Sequence, residues 1–331
     1  MKVSILHCDV TRENWHSRYV REFTYKYFPD HNINYEIVYH NEKLPDPHTI
    51  DIIDMSEFCN PWHEEVARRY NVPIVCSTEE GSLNSLNTYL TRNNIDVGFM
   101  LSRIKHFITR SSWTRDMLMF FGISGDKISV IPYGVDLDTF KPANKEPEES
   151  SFLYVGSINR QKGVHHLIES YLKIMDKTDW KLKLVVGEFN NDEWLLERLK
   201  KLAANNDKID LSPFPSINKL PEVYHEASCF VLPQDWGSVL QFGYPLVWAI
   251  SCGLLAISLD QGAARDYICD EENGFLCRNT KEIPERMLEI ARMDTEELRL
   301  RSDISRIIAE DFFNPKIIAR KYKNVYEEVL L

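Results

Sequence analysis

One loop of this sequence, bounded by glycines, has the residue types that bind an anion. A predicted strand over residues 152–155 runs into the segment Gly156-Ser-Ile-Asn-Arg-Gln-Lys-Gly163, and a predicted helix over residues 164–175 follows it. The amides of such a loop and the N-terminus of the helix behind it attract negative charge, and Lys162 adds a full positive charge. The pattern predicts a phosphate site, and the alternative is an ordinary glycine-rich turn with a solvated lysine.

Other catalytic and metal-binding patterns are absent from the sequence. The loop is not a Walker loop, because Gln161 and Gly163 flank the lysine where a glycine and a serine or threonine are required. No GxGxxG, GxSxG, HExxH or CxxC pattern occurs. The DxD pattern Asp136-Leu-Asp138 falls in a predicted linker, where a structural turn is the favoured interpretation. We therefore expect no metal site.

The elements that must position the loop alternate between strands and helices along the whole chain. Predicted strands span residues 3–8, 35–39, 51–55, 73–77, 97–101, 107–109, 128–131, 152–155, 182–186, 209–211, 229–232 and 254–258. Predicted helices span residues 15–27, 61–70, 113–121, 164–175, 193–203, 283–293, 295–312 and 315–330. Alternation of this kind is typical of βαβ units and parallel sheets. A Gly-, Pro- and charge-rich segment after Pro132 separates two such α/β domains, Rossmann-like and doubly wound, and ligands are expected in the cleft between them, beyond the carboxyl ends of the strands.

The composition is that of an ordinary globular protein. The 331 residues are 44% hydrophobic and 27% charged, which fits about two domains. Lys and Arg number 39 against 50 Asp and Glu, so the net charge is −11, and nucleic acid is not an expected partner for so acidic a chain. The seven cysteines without a CxxC pair indicate a reducing compartment, and no run approaches the roughly 18 apolar residues of a membrane span. We therefore expect a cytoplasmic protein.

Two segments around the predicted linker carry a family resemblance. Val130-Ile-Pro-Tyr-Gly-Val-Asp-Leu-Asp-Thr-Phe-Lys-Pro142 and Tyr154-Val-Gly-Ser-Ile-Asn-Arg-Gln-Lys-Gly-Val164 resemble the interdomain and donor-loop motifs of the retaining GT-B glycosyltransferases of family 4. Further motifs follow in family order, namely Leu220-Pro-Glu-Val-Tyr224, Cys229-Phe-Val-Leu-Pro233, Phe242-Gly-Tyr-Pro245, Cys252-Gly-Leu-Leu-Ala-Ile-Ser258 and Asn273-Gly-Phe-Leu276. The resemblance covers residues 128–331, whereas the first half matches only in its strand–helix rhythm.

The resemblance implies a GT-B fold with an acceptor-side domain over residues 1–142 and a donor domain over residues 143–314. A C-terminal helix over residues 315–331 would cross back onto the first domain. The implied donor is a nucleotide-diphosphate sugar, bound without a metal or other cofactor, with Lys162 at the diphosphate as a catalytic residue. By position, the residues implied to bind the donor are Gly156, Ser157, Asn159, Arg160, Lys162, Phe214, Phe242, Gly243, Tyr244 and Trp248.

The sequence departs from the family pattern at its charged positions. Ser157 stands where the family usually has an arginine, and Arg160 either compensates or faces outward. Leu240 and Trp248 stand at the two positions where the family's Glu-x7-Glu signature has its carboxylates. Asp235 could replace a missing carboxylate as a catalytic residue, with Trp248 stacking on a ring. The alternative is that Asp235 is solvated and Trp248 packs in the core.

On the acceptor side, Glu79 follows the predicted strand over residues 73–77. A carboxylate at the carboxyl end of a strand can orient an acceptor hydroxyl, and a solvated turn is the alternative. His63 opens a predicted helix, where it either lines the same site or is a capping or solvated residue. A basic and aromatic stretch could also give weak, salt-sensitive contact with the inner membrane face. Its members are Arg103, Lys105, Phe107, Arg110, Trp113 and Arg115, and a solvated helix flank is the alternative.

The implied function is retaining transfer of a hexose from a nucleotide sugar to a glycan, lipid-linked or small-molecule acceptor. In that mechanism the acceptor hydroxyl attacks the face from which the nucleotide leaves, and the departing phosphate oxygen helps to take the proton. The missing glutamates and arginine motivate an alternative function. The chain would then be a catalytically silent GT-B module that binds a nucleotide, a sugar or a partner glycosyltransferase.

Overall fold

A computed structural model describes residues 2–9, 22–40, 42–56, 58, 60–78, 95–144, 147, 149–187, 191–234 and 242–331. The chain divides into two compact units. The first is made of Met1–Gly134 with Phe312–Leu331, and the second is Val135–Asp311. Residues 135–142, which the sequence analysis places with the first domain, lie with the second unit.

In the described residues, the first unit contains a six-stranded parallel sheet in the order β2-β1-β3-β4-β5-β6. Its strands are Val3–Asp9 (β1), Ile33–Tyr39 (β2), Ile52–Met55 (β3), Ile74–Ser77 (β4), Ile104–Thr109 (β5) and Ile128–Val130 (β6). Parallel strands with helices on both faces are buried along their whole length. Every residue of β3 and β4 is accordingly buried.

The helices between these strands are Pro61–Arg69 (α1), Val97–Arg103 (α2) and Ser112–Phe120 (α3). The prediction of a strand over residues 97–101 is wrong, because this apolar run forms most of α2. Asp96 caps the helix, since its Oδ1 accepts a hydrogen bond of 2.8 Å from the Phe99 amide. A short apolar run suits either element, and the capping residue favours the helix. The predicted helix over residues 15–27 lies largely outside the described residues.

The described part of the second unit contains another six-stranded parallel sheet, in the order β12-β11-β10-β7-β8-β9. Its strands are Ser151–Gly156 (β7), Lys181–Val186 (β8), Ile209–Pro213 (β9), Cys229–Leu232 (β10), Leu255–Leu259 (β11) and Gly274–Cys277 (β12). The two parallel sheets with flanking helices confirm the predicted α/β fold class. The free cysteines Cys8, Cys76, Cys229 and Cys277 are buried in strands of the two sheets.

The helices of the second unit surround its sheet. They are Val164–Leu172 (α4), Glu193–Ala204 (α5), Leu220–His225 (α6), Tyr244–Ser251 (α7), Ala264–Tyr267 (α8), Ile283–Ala291 (α9) and Thr295–Phe312 (α10). Short 3-10 turns occur at Pro29–His31, Pro47–Thr49, Gly125–Lys127, Met175–Lys177 and Ile217–Lys219.

The last helix, Pro315–Leu330 (α11), belongs to the first unit. Two of its tyrosines bind buried polar groups of that unit: the Tyr326 hydroxyl donates to Asp54 Oδ2 at 2.7 Å, and Arg110 Nη1 donates to the Tyr322 hydroxyl at 2.6 Å. Arg110 is only 2% exposed, as is Phe107 in β5. These two residues therefore do not belong to the basic and aromatic surface that the sequence analysis predicts. In the described part of the chain, none of the helices is both long enough and apolar enough to span a bilayer.

Candidate functional site

The second sheet has a topological switch point between β7 and β10. From β7 the chain adds β8 and β9 on one side, and then β10, β11 and β12 on the other. In open α/β sheets, ligands bind beyond the carboxyl ends of the strands at such a point. Residues 156–163 leave β7 at this edge, and residues 233–234 leave β10 beside them. The candidate site is therefore built from these segments.

The loop after β7 is held in place by hydrogen bonds to three side chains. The Tyr154 hydroxyl donates to the Ser157 carbonyl at 2.7 Å, and burial raises the pKa of this tyrosine above its usual range. The Ile158 amide donates to Asn191 Oδ1 at 2.7 Å, and the Lys162 amide donates to Asn159 Oδ1 at 2.9 Å. These bonds hold the loop backbone in the observed conformation.

Glycines at two places let the backbone take this path. Gly163 precedes α4 in the left-handed region, at φ 69°, which other residues rarely adopt. Gly187, just after β8, donates its amide to the Gly156 carbonyl at 2.9 Å, and a Cβ there would lie 3.1 Å from the Ser157 nitrogen. Among the described residues, no side chain caps the N-terminus of α4. The first amides of α4 therefore point toward the loop with the positive end of the helix dipole.

Lys162 is held at the switch point by a polar side chain from the neighbouring strand end. Its Nζ donates to Gln234 Oε1 at 3.5 Å, and Gln234, which follows β10, is only 3% exposed. Gln261, which follows β11, donates Nε2 in turn to the Gln234 backbone carbonyl. The result is an ammonium group directed by neutral amides instead of a carboxylate. Because no carboxylate neutralises it in these contacts, the ammonium keeps its attraction for an anion such as a diphosphate.

The remaining donor-loop candidates have different environments. Arg160 is exposed, Ser157 and Asn159 are partly buried, and Phe214 is partly exposed directly after β9 at the same sheet edge. The structure thus brings Gly156, Ser157, Asn159, Lys162 and Phe214 to the carboxyl edge of the sheet, where open α/β sheets bind ligands.

The aromatic candidates in α7 and directly before it are packed inside the second unit. Trp248 is 1% exposed, and its ring stacks on Phe140 with the centroids 5.1 Å apart and the planes 8° from parallel. Phe242 and Tyr244 are also buried, with ring centroids 4.8 Å apart, and Gly243 lies between them. These rings pack against protein in the described structure.

Several predicted residues lie outside the described part of the chain: Glu79, Asp235 and Leu240. In the first unit, His63 is fully buried in α1, and its Nε2 lies 3.1 Å from the Cys8 carbonyl. Since a carbonyl only accepts, Nε2 carries the proton. Burial lowers the pKa of His63 to about 3. The alternatives of capping and solvation are therefore both wrong for His63, and the capping residue is Asn60, whose Oδ1 accepts from the Trp62 amide.

Four residues that shape the site were not predicted from the sequence: Tyr154, Asn191, Gln234 and Gln261. A signal for two of them exists, because Gln234 and Gln261 each stand two residues beyond a strand, at the carboxyl ends where parallel sheets bind ligands. Tyr154 and Asn191 give no such signal, since a tyrosine in a strand and an asparagine before a helix are ordinary.

The comparisons with known proteins agree with this architecture. The sequence matches the family model described as glycosyl transferases group 1 over residues 136–306. The chain belongs to this family. The model described as glycosyltransferase family 4 matches residues 2–139 of this chain.

Individual relatives of this group 1 chain are distant. It is 26% identical over 200 residues to the D-inositol 3-phosphate glycosyltransferase of Segniliparus rotundus, a match that covers 56% of this chain and 43% of the relative. It therefore spans less than half the length of that curated relative. The fold is similar to a glycosyltransferase from Rickettsia africae, with a TM-score of 0.75, 18% identity and 99% of both chains covered. It is also similar to HepE from Anabaena in complex with UDP-glucose, with a TM-score of 0.72, 15% identity and coverage of 98% of this chain and 99% of that one.

Proposed function

We propose that this group 1 chain transfers a hexose from a nucleoside-diphosphate sugar to a glycan, lipid-linked or small-molecule acceptor. The observation that carries the proposal is the position of Lys162, whose ammonium lies 3.5 Å from Gln234 Oε1 at the switch point of the second sheet. A lysine beside a fixed glycine loop and a helix N-terminus is suited to a diphosphate. The similarity to a solved structure that holds UDP-glucose supports this ligand class.

In the proposed reaction, an acceptor hydroxyl attacks the anomeric carbon on the face from which the nucleotide leaves, so the configuration is retained. The bond between that carbon and the phosphate oxygen breaks, and its electron pair leaves with the nucleoside diphosphate. A departing phosphate oxygen takes the acceptor proton. Lys162 and the loop amides stabilise the charge that develops on the diphosphate, and no metal is needed for this neutralisation.

Two carboxylates complete the proposal from the sequence alone. Glu79 would orient the acceptor hydroxyl, and Asp235 would replace one of the two carboxylates that the family has at positions 240 and 248. Their substitution by glutamine and asparagine, respectively, is expected to lower turnover while leaving the affinity for the nucleoside diphosphate unchanged.

The test is a panel of UDP-, GDP- and ADP-sugars, each offered with and without candidate acceptors. Thermal unfolding reports binding, because a ligand that binds only the folded state raises the unfolding temperature. Release of the nucleoside diphosphate reports turnover. We expect at least one donor both to stabilise the protein and to be consumed. If every donor fails to do either, the proposed function is wrong.

One observation favours a second candidate function, a catalytically silent module that binds a nucleotide, a sugar or a partner glycosyltransferase. Position 248, where the family signature has a glutamate, holds a tryptophan stacked on Phe140 in the core. The same panel separates the two functions. Stabilisation by donors without release of any nucleoside diphosphate would support the silent module and contradict the transferase.

A further inference from the structure

Three side chains form a polar chain across neighbouring strand ends of the second sheet. Lys162 Nζ donates to the side chain of Gln234, and Gln261 Nε2 donates to the backbone carbonyl of Gln234. Lys162 follows β7, Gln234 follows β10 and Gln261 follows β11, so the chain runs along the carboxyl edge from the switch point outward.

The contact with Gln234 fixes the orientation of the Gln261 amide. A backbone carbonyl can only accept a hydrogen bond, so the nitrogen of the Gln261 side chain must face it and the oxygen must face the other way. Gln261 is 96% buried, since its exposed fraction is 4%. Its Oε1 has no hydrogen-bond partner among the described residues. A buried amide oxygen without a partner is unfavourable, and such a group in a native protein usually has a bound partner.

The chemistry of this oxygen restricts its ligand. An amide oxygen accepts hydrogen bonds and carries no charge, so it suits a neutral O–H or N–H donor. A diphosphate at neutral pH presents acceptors only and cannot satisfy it. The groups that flank a diphosphate in a nucleotide sugar are two polyols, the ribose and the transferred sugar, and both carry hydroxyls.

We propose that Gln261 Oε1 accepts a hydrogen bond from a hydroxyl of the nucleotide sugar, next to the diphosphate that Lys162 binds. This inference rests on the proposed function and adds a specificity-determining residue to it. Gln261 would bind a hydroxyl of the ligand, whereas Lys162 would bind its negatively charged diphosphate. The donor is then selected by two groups that are linked through Gln234 but recognise different parts of the ligand.

The experiment compares Gln261→Met, which keeps the length of the side chain and removes the amide, with the unsubstituted protein. Calorimetry measures the affinity for UDP and UDP-glucose, for GDP and GDP-mannose, and for ADP and ADP-glucose, and the pair that the unsubstituted protein binds is used. The matched control is Ser151→Ala, which removes a partly buried hydrogen bond of 3.2 Å to the Glu226 carbonyl at the opposite edge of the same sheet. It is expected to leave both affinities unchanged.

If the hydroxyl belongs to the transferred sugar, Gln261→Met weakens binding of the nucleotide sugar about tenfold and changes binding of the free diphosphate less than twofold. If the hydroxyl belongs to the ribose, Gln261→Met lowers the affinity for both the nucleotide sugar and the nucleoside diphosphate about tenfold. The 2′- or 3′-deoxyribose analogue that lacks this hydroxyl then binds the unsubstituted protein weakly, and it binds the variant with the same affinity. A loss of about tenfold corresponds to one hydrogen bond to a buried partner.

Two results overturn the inference. One is that Gln261→Met binds every ligand with unchanged affinity. The other is that its affinities for the nucleotide sugar, the nucleoside diphosphate and both deoxyribose analogues fall by the same factor. If Gln261→Met does not fold, Gln261→Asn withdraws the oxygen by one methylene and is held to the same comparison. Failure of the proposed function looks different, because the unsubstituted protein would then bind no nucleotide sugar.

Discussion

The Tyr326 hydroxyl in α11 donates a hydrogen bond of 2.7 Å to Oδ2 of Asp54, a carboxylate in the middle of the first sheet with no exposed surface. His7 Nδ1 approaches the same oxygen at 3.8 Å. Burial, and then the charge of Asp54, raises the pKa of Tyr326 well above its usual range. The tyrosine therefore stays a neutral donor, and the last helix of the chain satisfies a charge on a strand near its beginning.

Removing this donor should destabilise the first unit. In Tyr326→Phe the ring is kept, and a buried carboxylate loses a hydrogen bond, which costs about 1–3 kcal/mol. Urea unfolding measures the change. Tyr27→Phe, at a partly exposed tyrosine of the same unit, is the control and should shift the free energy of unfolding by less than about 0.5 kcal/mol. Equal effects of the two substitutions would contradict the role of the Asp54 contact.

Lys162→Ala should lower turnover at least tenfold, because the loss of one electrostatic contact to a developing charge typically costs a factor of about 10²–10³. The unfolding temperature without ligand should stay the same, since the lysine is only partly buried. Lys181→Ala is the control, because Lys181 pairs with Glu149 at 2.6 Å at the other end of the strands. Turnover of Lys162→Ala at the unsubstituted rate would remove Lys162 from the site.

Turnover should be insensitive to metal removal, since we assign the neutralisation of the diphosphate to Lys162 and backbone amides. Rates are measured after dialysis against EDTA, and again after addition of Mg²⁺ or Mn²⁺. We expect changes of less than twofold. Loss of the rate with EDTA and its return with either cation would contradict the metal-independent mechanism.

His63 should make the stability of the protein sensitive to acid. Burial lowers its pKa from 6.5 to about 3, so between these pH values the unfolded chain binds a proton that the folded chain does not. Stability therefore falls as the pH drops below about 6.5, by up to about 1.4 kcal/mol for each pH unit, and His63 contributes no pH dependence above that range. The difference in unfolding free energy between the unsubstituted protein and His63→Gln, measured from pH 4.5 to 7.5, isolates this histidine. The control is His48→Gln, at an exposed histidine. If His63→Gln leaves the slope of the unfolding free energy against pH unchanged, the His63 ring is not held neutral.

Trp248→Ala distinguishes a core tryptophan from a ligand contact. Because the ring is buried and stacked on Phe140, we expect a loss of about 3–5 kcal/mol in the free energy of unfolding. The affinity of the folded variant for nucleoside diphosphates should change little. Trp194→Ala, at a tryptophan that is 62% exposed in the same unit, is the matched control and should be nearly neutral in both measurements. A large loss of affinity with little loss of stability would instead assign Trp248 to the donor.

Most of the strands were predictable, because strands of a parallel sheet are covered on both faces and therefore appear as short, continuous apolar runs. The error at residues 97–101 has the same cause. A run of that length fits either element, and the decision lies with Asp96, whose side chain satisfies the Phe99 amide at the start of α2. The strand β12, by contrast, begins with a glycine and has only three apolar residues in a row. A glycine is required at position 274, because a Cβ there would lie 1.9 Å from the Ala256 carbonyl oxygen.

The candidate site was predictable only where its chemistry lies in consecutive residues. The glycines and Lys162 of the loop after β7 form such a local pattern, and the loop is found at the carboxyl edge of a central strand. The partners of that loop come from elsewhere in the chain: Asn191 supports it, and Gln234 holds its lysine. No spacing rule connects these residues, because the sheet order brings them together.

The sequence by itself therefore determined the α/β alternation, the two parallel sheets and the glycine-bounded loop with Lys162 after β7, since each depends on residues close together in the chain. Only the tertiary structure decided which side chains are buried and which groups they face. Arg110, Trp248 and His63 are residue types that are common at surfaces or in binding sites, yet each is buried against segments distant in sequence. Gln261 is the opposite case, because nothing in its sequence context indicates a site. Its Nε2 donates to the Gln234 carbonyl, and its buried Oε1 therefore becomes a candidate ligand contact. Burial and hydrogen-bond direction are properties of packed neighbours, and those neighbours are set by the order of the strands.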